Sequence, residues 1–189
     1  AYSSVSHMGF CLLGMAALTP QGISGSVFQM FSHGIISPML FLLAGVIYDR
    51  AHTREINGFG GLAGKMPVYS GLTGLAFMAS LGLPGLAGFI GEVLVFLGGF
   101  GASDPIFRWF VVAAVPAVVI TAGYYLWTMQ RMFLGQMNPK WSHLWDMNWR
   151  ERLTLYPLAA ATILLGFWPA PVFKLVNTSK LVSPLIVID

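Results

Sequence analysis

From Ala1 to Tyr48 the chain contains no Asp, Glu, Lys or Arg. A soluble domain carries about 25% charged residues spread over its surface. This chain of 189 residues has 9% charged and 56% hydrophobic residues and a mean hydropathy of +0.73. There is too little polar surface to cover a globule in water, so the predicted class is all-α, a polytopic transmembrane helix bundle. The net charge of +3 is modest and its basic residues are spread over loops, which excludes a nucleic-acid patch. Cys11 is the sole cysteine, so there is no intrachain disulfide and no cysteine-based metal motif. The first residues lack both a methionine and a basic n-region and do not look like a signal peptide. The chain reads as a piece of something longer, with its beginning missing.

The uncharged run is too long for one span of about 20 residues. Thr19-Pro20-Gln21-Gly22 cuts it into helices over about 3–18 and 24–48. A charged, glycine-rich loop, 49–65, follows. The third apolar stretch, 67–100, would reach about 50 Å as one helix, against a hydrocarbon core of about 30 Å. Leu83-Pro84-Gly85 supplies a break, because proline removes a helical N–H and clashes with the preceding turn. Further spans are expected over 107–133 and 153–167, giving about five in a bundle covering 1–171. The tail, 172–189, is expected to be mixed, with a short amphipathic or interfacial helix. Seven of the ten basic residues lie in the loops after the second and fourth spans, which favours a cytoplasmic place for both loops. Trp141, Trp145 and Trp149 suit the headgroup level.

An ionisable group inside a span costs about 2.5–3.5 kcal/mol unless paired or wet. Glu92 follows the break by eight residues, and His7 and His33 sit in the first two spans. Ser26, Gln29, His33 and Ser37 recur at helical spacing on one face, and Thr121, Tyr124, Tyr125 and Thr128 form a weaker stripe. Ser3 lies one turn before His7. Such stripes serve either as packing glue between helices or as the wall of a hydrated path. A membrane histidine either bonds a neighbouring helix or relays protons, and a buried glutamate either pairs with a cation or exchanges a proton. The break tilts Glu92 towards exchange, since non-helical backbone at membrane depth needs protein or a wet cavity, and broken helices line ion sites in transporters. The cluster Asp49, Arg50, His52, Arg54 and Glu55 reads as a solvated loop.

Four ordered blocks carry a family resemblance: AYSSVSHMGF (1–10), QMFSHGIISPMLFLLAGVIYDRAHTR (29–54), GGLAGKMP (60–67) and LPGLAGFIGE (83–92). The chain resembles the C-terminal part of the antiporter-like, proton-translocating membrane subunits of respiratory complex I, on the branch called subunit M or chain 4. The resemblance weakens beyond Pro169. It implies the second half of an inverted-repeat fold of fourteen helices, with helices ten to fourteen here. It implies that Glu92 is the terminal proton-transfer residue, Lys in the sister subunits L and N and Glu in M. It further implies that His7 and His33 belong to a hydrated central axis, with Gln29, Ser26, Ser37, Thr121 and Tyr124 as supporting polar groups and Pro84 and Gly85 as the helix break.

On that resemblance the chain binds no cofactor and no metal. NAD(P)H, FMN, iron–sulfur clusters and quinone are expected in other subunits, and enzymatic activity belongs to the complex. The expected partners are the other membrane subunits, sister antiporter-like chains included, and the lipid bilayer. The expected home is a bacterial inner membrane, with thylakoid and mitochondrial inner membranes as the other settings. The rival reading is an Mrp-type cation/proton antiporter or membrane-bound hydrogenase subunit, which shares the broken helices. A purely structural scaffold is the third, and it predicts that Glu92 is replaceable by Gln.

Overall fold

The computed structural model describes residues 2–178, and among these the regular structure is entirely helical. Eight α-helices run in the order α1 (Ser3–Ala16), α2 (Pro20–Ala51), α3 (Leu62–Lys65), α4 (Pro67–Ser80), α5 (Ala87–Phe100), α6 (Ile106–Phe133), α7 (Trp149–Phe167) and α8 (Ala170–Thr178). The part of the expected tail beyond residue 178 lies outside the described residues.

α2 and α6 are long and apolar enough to cross a membrane alone. α7 and α8 form a third candidate span, bent by 78° at Trp168-Pro169. α1, α4 and α5 have 14 residues each, shorter than a crossing of about 20. Large apolar side chains stand outward on α6 and α7, among them Trp109, Ile120, Leu164 and Phe167, as lipid contact requires.

The structure moves several boundaries. α2 begins at Pro20 rather than residue 24: Thr19 is the N-cap, its hydroxyl accepts from the Gly22 N–H, and Pro20 sits where a helix has no need of its N–H. It then runs to Ala51, so Arg50 lies in its last turn and is buried, not in a solvated loop. α7 starts four residues before the apolar stretch because Asn148 and Glu151 form a capping box. The tail helix begins at Ala170 and packs back into the bundle, with Val172 and Val176 against Phe28 and the Phe173 ring stacked on Phe28 at 5.0 Å. Trp141 is buried against the other loop; its indole N–H donates to the Gly58 carbonyl at 2.8 Å and its ring stacks on Phe59. Trp145 and Trp149 stay exposed.

α2 is the hub and packs on α1, α4, α5, α7 and α8, closest on α5. That approach is backbone to backbone. A Cβ on Gly25 would fall 2.7 Å from Leu94 Cβ and 2.8 Å from the Val95 nitrogen, and one on Gly98 would collide with Gly22. The main apolar core lies at the loop-bearing end, around Met39, Leu43, Leu62, Met66 and Leu144. The two long loops interlock there. Asn138 and Trp141 donate to the Gly58 carbonyl, and Arg131 donates to Asn57 Oδ1. Arg50 holds Glu151 through two bonds of 2.9 and 2.8 Å, donates to the carbonyls of Val46, Trp145 and Asp146, and lies over the Trp145 ring. The Asp146 carboxylate accepts from the N–H groups of Val68 and Tyr69, capping α4.

Candidate functional site

The break spans residues 81–86 between α4 and α5. Gly82 and Gly85 have φ of +79° and +91°, where side chains with a Cβ are strained. The backbone satisfies itself there: Leu81 N–H donates to Phe77, Leu83 N–H to Met78 and Leu86 N–H to Leu83. The N–H groups of Leu81, Leu83 and Leu86 are thus satisfied within a compact turn. The first turn of α5 lies tight on the last of α4, since a Cβ on Gly88 would overlap the Ala79 carbonyl. Gly166 of α7 closes on Gly85 in the same way.

Glu92 stands in the second turn of α5, 6% exposed, and its carboxylate folds back over the break. A Cβ on Gly82 would fall 2.5 Å from Glu92 Oε2. Gly82 is thus required twice, for its φ and for the carboxylate. Glu92 Oε1 lies 3.6 Å from His7 Nδ1, brought by α1. The other ring nitrogen, His7 Nε2, is 3.2 Å from Ser80 Oγ at the end of α4. Ser80 Oγ is 2.8 Å from the Tyr125 hydroxyl of α6. Four helices each contribute one member of a continuous chain, Glu92–His7–Ser80–Tyr125. The hand-off at Glu92 is long for a hydrogen bond, as resting proton-transfer geometries often are.

A branch leaves at the imidazole. The His33 ring sits 5.2 Å from that of His7, and His33 Nε2 is 3.0 Å from Ser4 Oγ. His7, Gln29, His33 and Ser80 border a space of about 10 Å³, enough for about one water. Gln29 Nε2 also reaches His7 Nδ1, at 3.5 Å, while its buried Oε1 has no partner among the described residues. Beyond Tyr125 the chain opens on a cleft of about 500 Å³, lined by Ser3, Ser4, Ser37, Tyr124 and Tyr125. A second cavity of about 220 Å³ reaches from Thr53 and Arg54 at the loop-bearing end past Tyr69 and Thr73, and shares Leu40, Ala44 and Phe77 with the cleft.

The structure thus brings together Glu92, His7, His33 and Gln29. It sets Tyr124 beside Tyr125, rings 4.6 Å apart, and Ser37 on the cleft wall. It places Ser26 and Thr121 outside the chain. Ser26 Oγ donates to the carbonyls of Cys11 and Gly22, and Thr121 Oγ1 to that of Ala117. Both hydroxyls bond main-chain carbonyls, the glue role such residues take in membrane helices. Ser80 and Ser4 escaped the sequence reading. Ser80 is the last helical residue before the break, and that position was the available signal. Ser32 donates to the Ala87 carbonyl and ties α2 to the start of α5.

A membrane family described as NADH:quinone oxidoreductase/Mrp antiporter matches residues 1–121. NADH-quinone oxidoreductase subunit M of Rhodobacter capsulatus is 44% identical over 180 residues, 95% of this chain and 34% of that protein. F(420)H(2) dehydrogenase subunit M of Methanosarcina mazei is 45% identical over 186 residues, 98% of this chain and 37% of that protein. The chain therefore spans about a third of the length of these relatives. A chain of respiratory complex I from Thermus thermophilus superposes with a TM-score of 0.82 at 33% identity, covering 97% of this chain and 37% of that one.

Proposed function

Because the chain belongs to the NADH:quinone oxidoreductase/Mrp antiporter membrane family, we propose that it is the C-terminal part of a subunit M that moves protons while other subunits reduce quinone. The observation that carries this reading is the Glu92–His7–Ser80–Tyr125 chain. A purely structural carboxylate would sit beside a fixed cation. The partner of Glu92 is an imidazole, which can accept a proton on one ring nitrogen and donate from the other. A proton reaching His7 from Ser80 arrives on one nitrogen, and one leaving towards Glu92 departs from the other. Arrival makes the imidazolium, departure leaves the opposite tautomer, and the ring returns to its starting tautomer before the next proton.

In this reading protons approach from the loop-bearing side through the cavity at Thr53 and Arg54. They pass the Leu40–Ala44–Phe77 partition into the cleft, join the chain at Tyr125, and leave beyond Glu92. His33 and Ser4 give the chain its connection to the rest of the membrane arm. Nicotinamide, flavin, iron–sulfur clusters and quinone are held by other subunits, and this chain binds none of them. The partners are the remaining membrane subunits, the sister antiporter-like chains included, and the setting is a bacterial inner membrane.

The test is Glu92→Gln in the full-length subunit within its native complex. It keeps size and removes the titratable proton. Donor-driven acidification of inverted vesicles is recorded beside the quinone reductase rate. A sharp fall in acidification supports the reading. Wild-type levels of both would make Glu92 structural. If unmutated vesicles give no signal with any electron donor, cation/proton antiport is the reading that replaces it.

A further inference from the structure

Away from the relay, α2 and α7 leave a groove of about 620 Å³ between them at the loop-bearing end. It follows α2 from Pro38 to Asp49, about 16 Å, close to the roughly 15 Å of hydrocarbon in one leaflet. Its wall is apolar. Phe41 and Leu42 stand 60% and 40% exposed, and a Cβ on Gly45 would meet nothing within 4 Å. Its mouth is charged. Both Glu151 oxygens are engaged by Arg50, and one also accepts the Asn148 N–H. Asp49 and Arg150 are exposed at the same mouth, and neither has an ion-pair partner among the described residues. The Arg150 guanidinium rests over the Trp149 ring, 5.6 Å from its centroid, at the level where an indole favours the headgroup region.

We propose that this groove binds one phospholipid whose headgroup carries both a phosphate and a primary ammonium. The phosphate lies on Arg150, the ammonium donates to the Asp49 carboxylate, and an acyl chain runs along Gly45 between Phe41 and Leu42. The chemistry selects among lipids. An anionic headgroup without an amine keeps the Arg150 contact but meets repulsion at Asp49. A quaternary ammonium has no N–H to give.

The experiment uses the assembled complex with the full-length subunit, reconstituted with photoactivatable phospholipids that differ only in headgroup: ethanolamine, glycerol or choline. Cross-linked peptides are mapped by mass spectrometry. The ethanolamine lipid is expected to label segments 38–49 and 150–155 about three- to fivefold above the other two, the range of an exposed charge pair. Asp49→Asn removes that preference, Asp49→Glu keeps it, and Arg150→Gln lowers labelling by all three lipids alike, since each carries the phosphate. Equal labelling by all three headgroups in the unmutated complex overturns the proposal, as does a preference that survives Asp49→Asn. Absence of lipid label from the groove, with a protein segment cross-linked there, overturns it too. If Asp49→Asn does not assemble, the unmutated headgroup comparison decides alone.

Discussion

Gly91→Ala separates the geometry of the relay from its chemistry. Gly91 lies on the face of α5 that meets α2, one residue before Glu92. A Cβ there would fall 2.8 Å from Gln29 Cβ and 2.9 Å from Gln29 Cα, and would collide with Oε1. The amide oxygen can swing away, but the Cα belongs to the backbone. Carbon atoms settle at about 3.5–4.0 Å, so the two helices must part by about 0.6–1.2 Å. Overpacking of this kind costs about 1–3 kcal/mol. The gain in helix propensity from Gly to Ala returns about 0.8–1 kcal/mol. The net loss, about 0–2 kcal/mol, leaves the complex assembled. The hand-off fares worse. His7 Nδ1 and Glu92 Oε1 are already 3.6 Å apart; α1, which carries His7, packs more on α2 than on α5 and is expected to move with α2, so a further half ångström or more takes them out of direct contact. Gly91→Ala is therefore expected to retain quinone reductase assembly, lower the thermal midpoint slightly, and cut protons moved per electron towards the Glu92→Gln level. Gly71→Ala in α4, where a Cβ meets nothing within 4 Å, is the control and is expected to be neutral or slightly stabilising. Vesicles carrying Gly91→Ala that pump at the wild-type ratio would show that Glu92 does not depend on this spacing.

Ser80→Ala removes the only hydroxyl between His7 and Tyr125 in the chain, at about 1 kcal/mol of stability. Its acidification per quinone reduced is expected to drop well below that of Ser26→Ala, whose hydroxyl serves two carbonyls. Equal pumping by the two variants would remove Ser80 from the path. Glu151→Gln leaves the Arg50 guanidinium, whose side chain is 3% exposed, without its counter-charge; Glu151 itself is 23% exposed, so about 2–3 kcal/mol is expected, read as earlier heat dissociation of the subunit. Glu151 sits ahead of the apolar part of α7, and its hydrogen bonds to Arg50 hold its carboxyl below the usual carboxylate range. A depressed value means that the clamp is intact above about pH 4 and lost as pH falls through the folded-state value. Acid-induced loosening of the 134–148 loop, followed by protease cutting, should move to higher pH in Arg50→Gln. An unchanged acid profile would detach the pair from loop anchoring.

Particular residues show where reading the sequence succeeded and where it stopped. Pro84 and the glycines around it placed the break, because a missing N–H and positive φ are local demands. Glu92, His7 and His33 stood out because ionisable groups are scarce in apolar helices. Arg50 was misjudged because its neighbours Asp49 and His52 look like a loop, whereas a left-handed His52 ends the helix two residues later. For Ser26, helical spacing identifies a face but not what that face touches.

By itself the sequence determined the medium, the helical class, the position of the break and the presence of a carboxylate beyond it. Each follows from the chemistry of residues close together in the chain. Only the tertiary structure decided which hydroxyls belong to the relay. Ser80 meets His7 across 73 residues and Tyr125 across 45, and those meetings depend on helix separation. The separation is set by glycines such as Gly25, Gly91 and Gly98, where a single added methyl would part the helices. A hydrogen bond tolerates errors of only a few tenths of an ångström, finer than any periodicity in a sequence can specify.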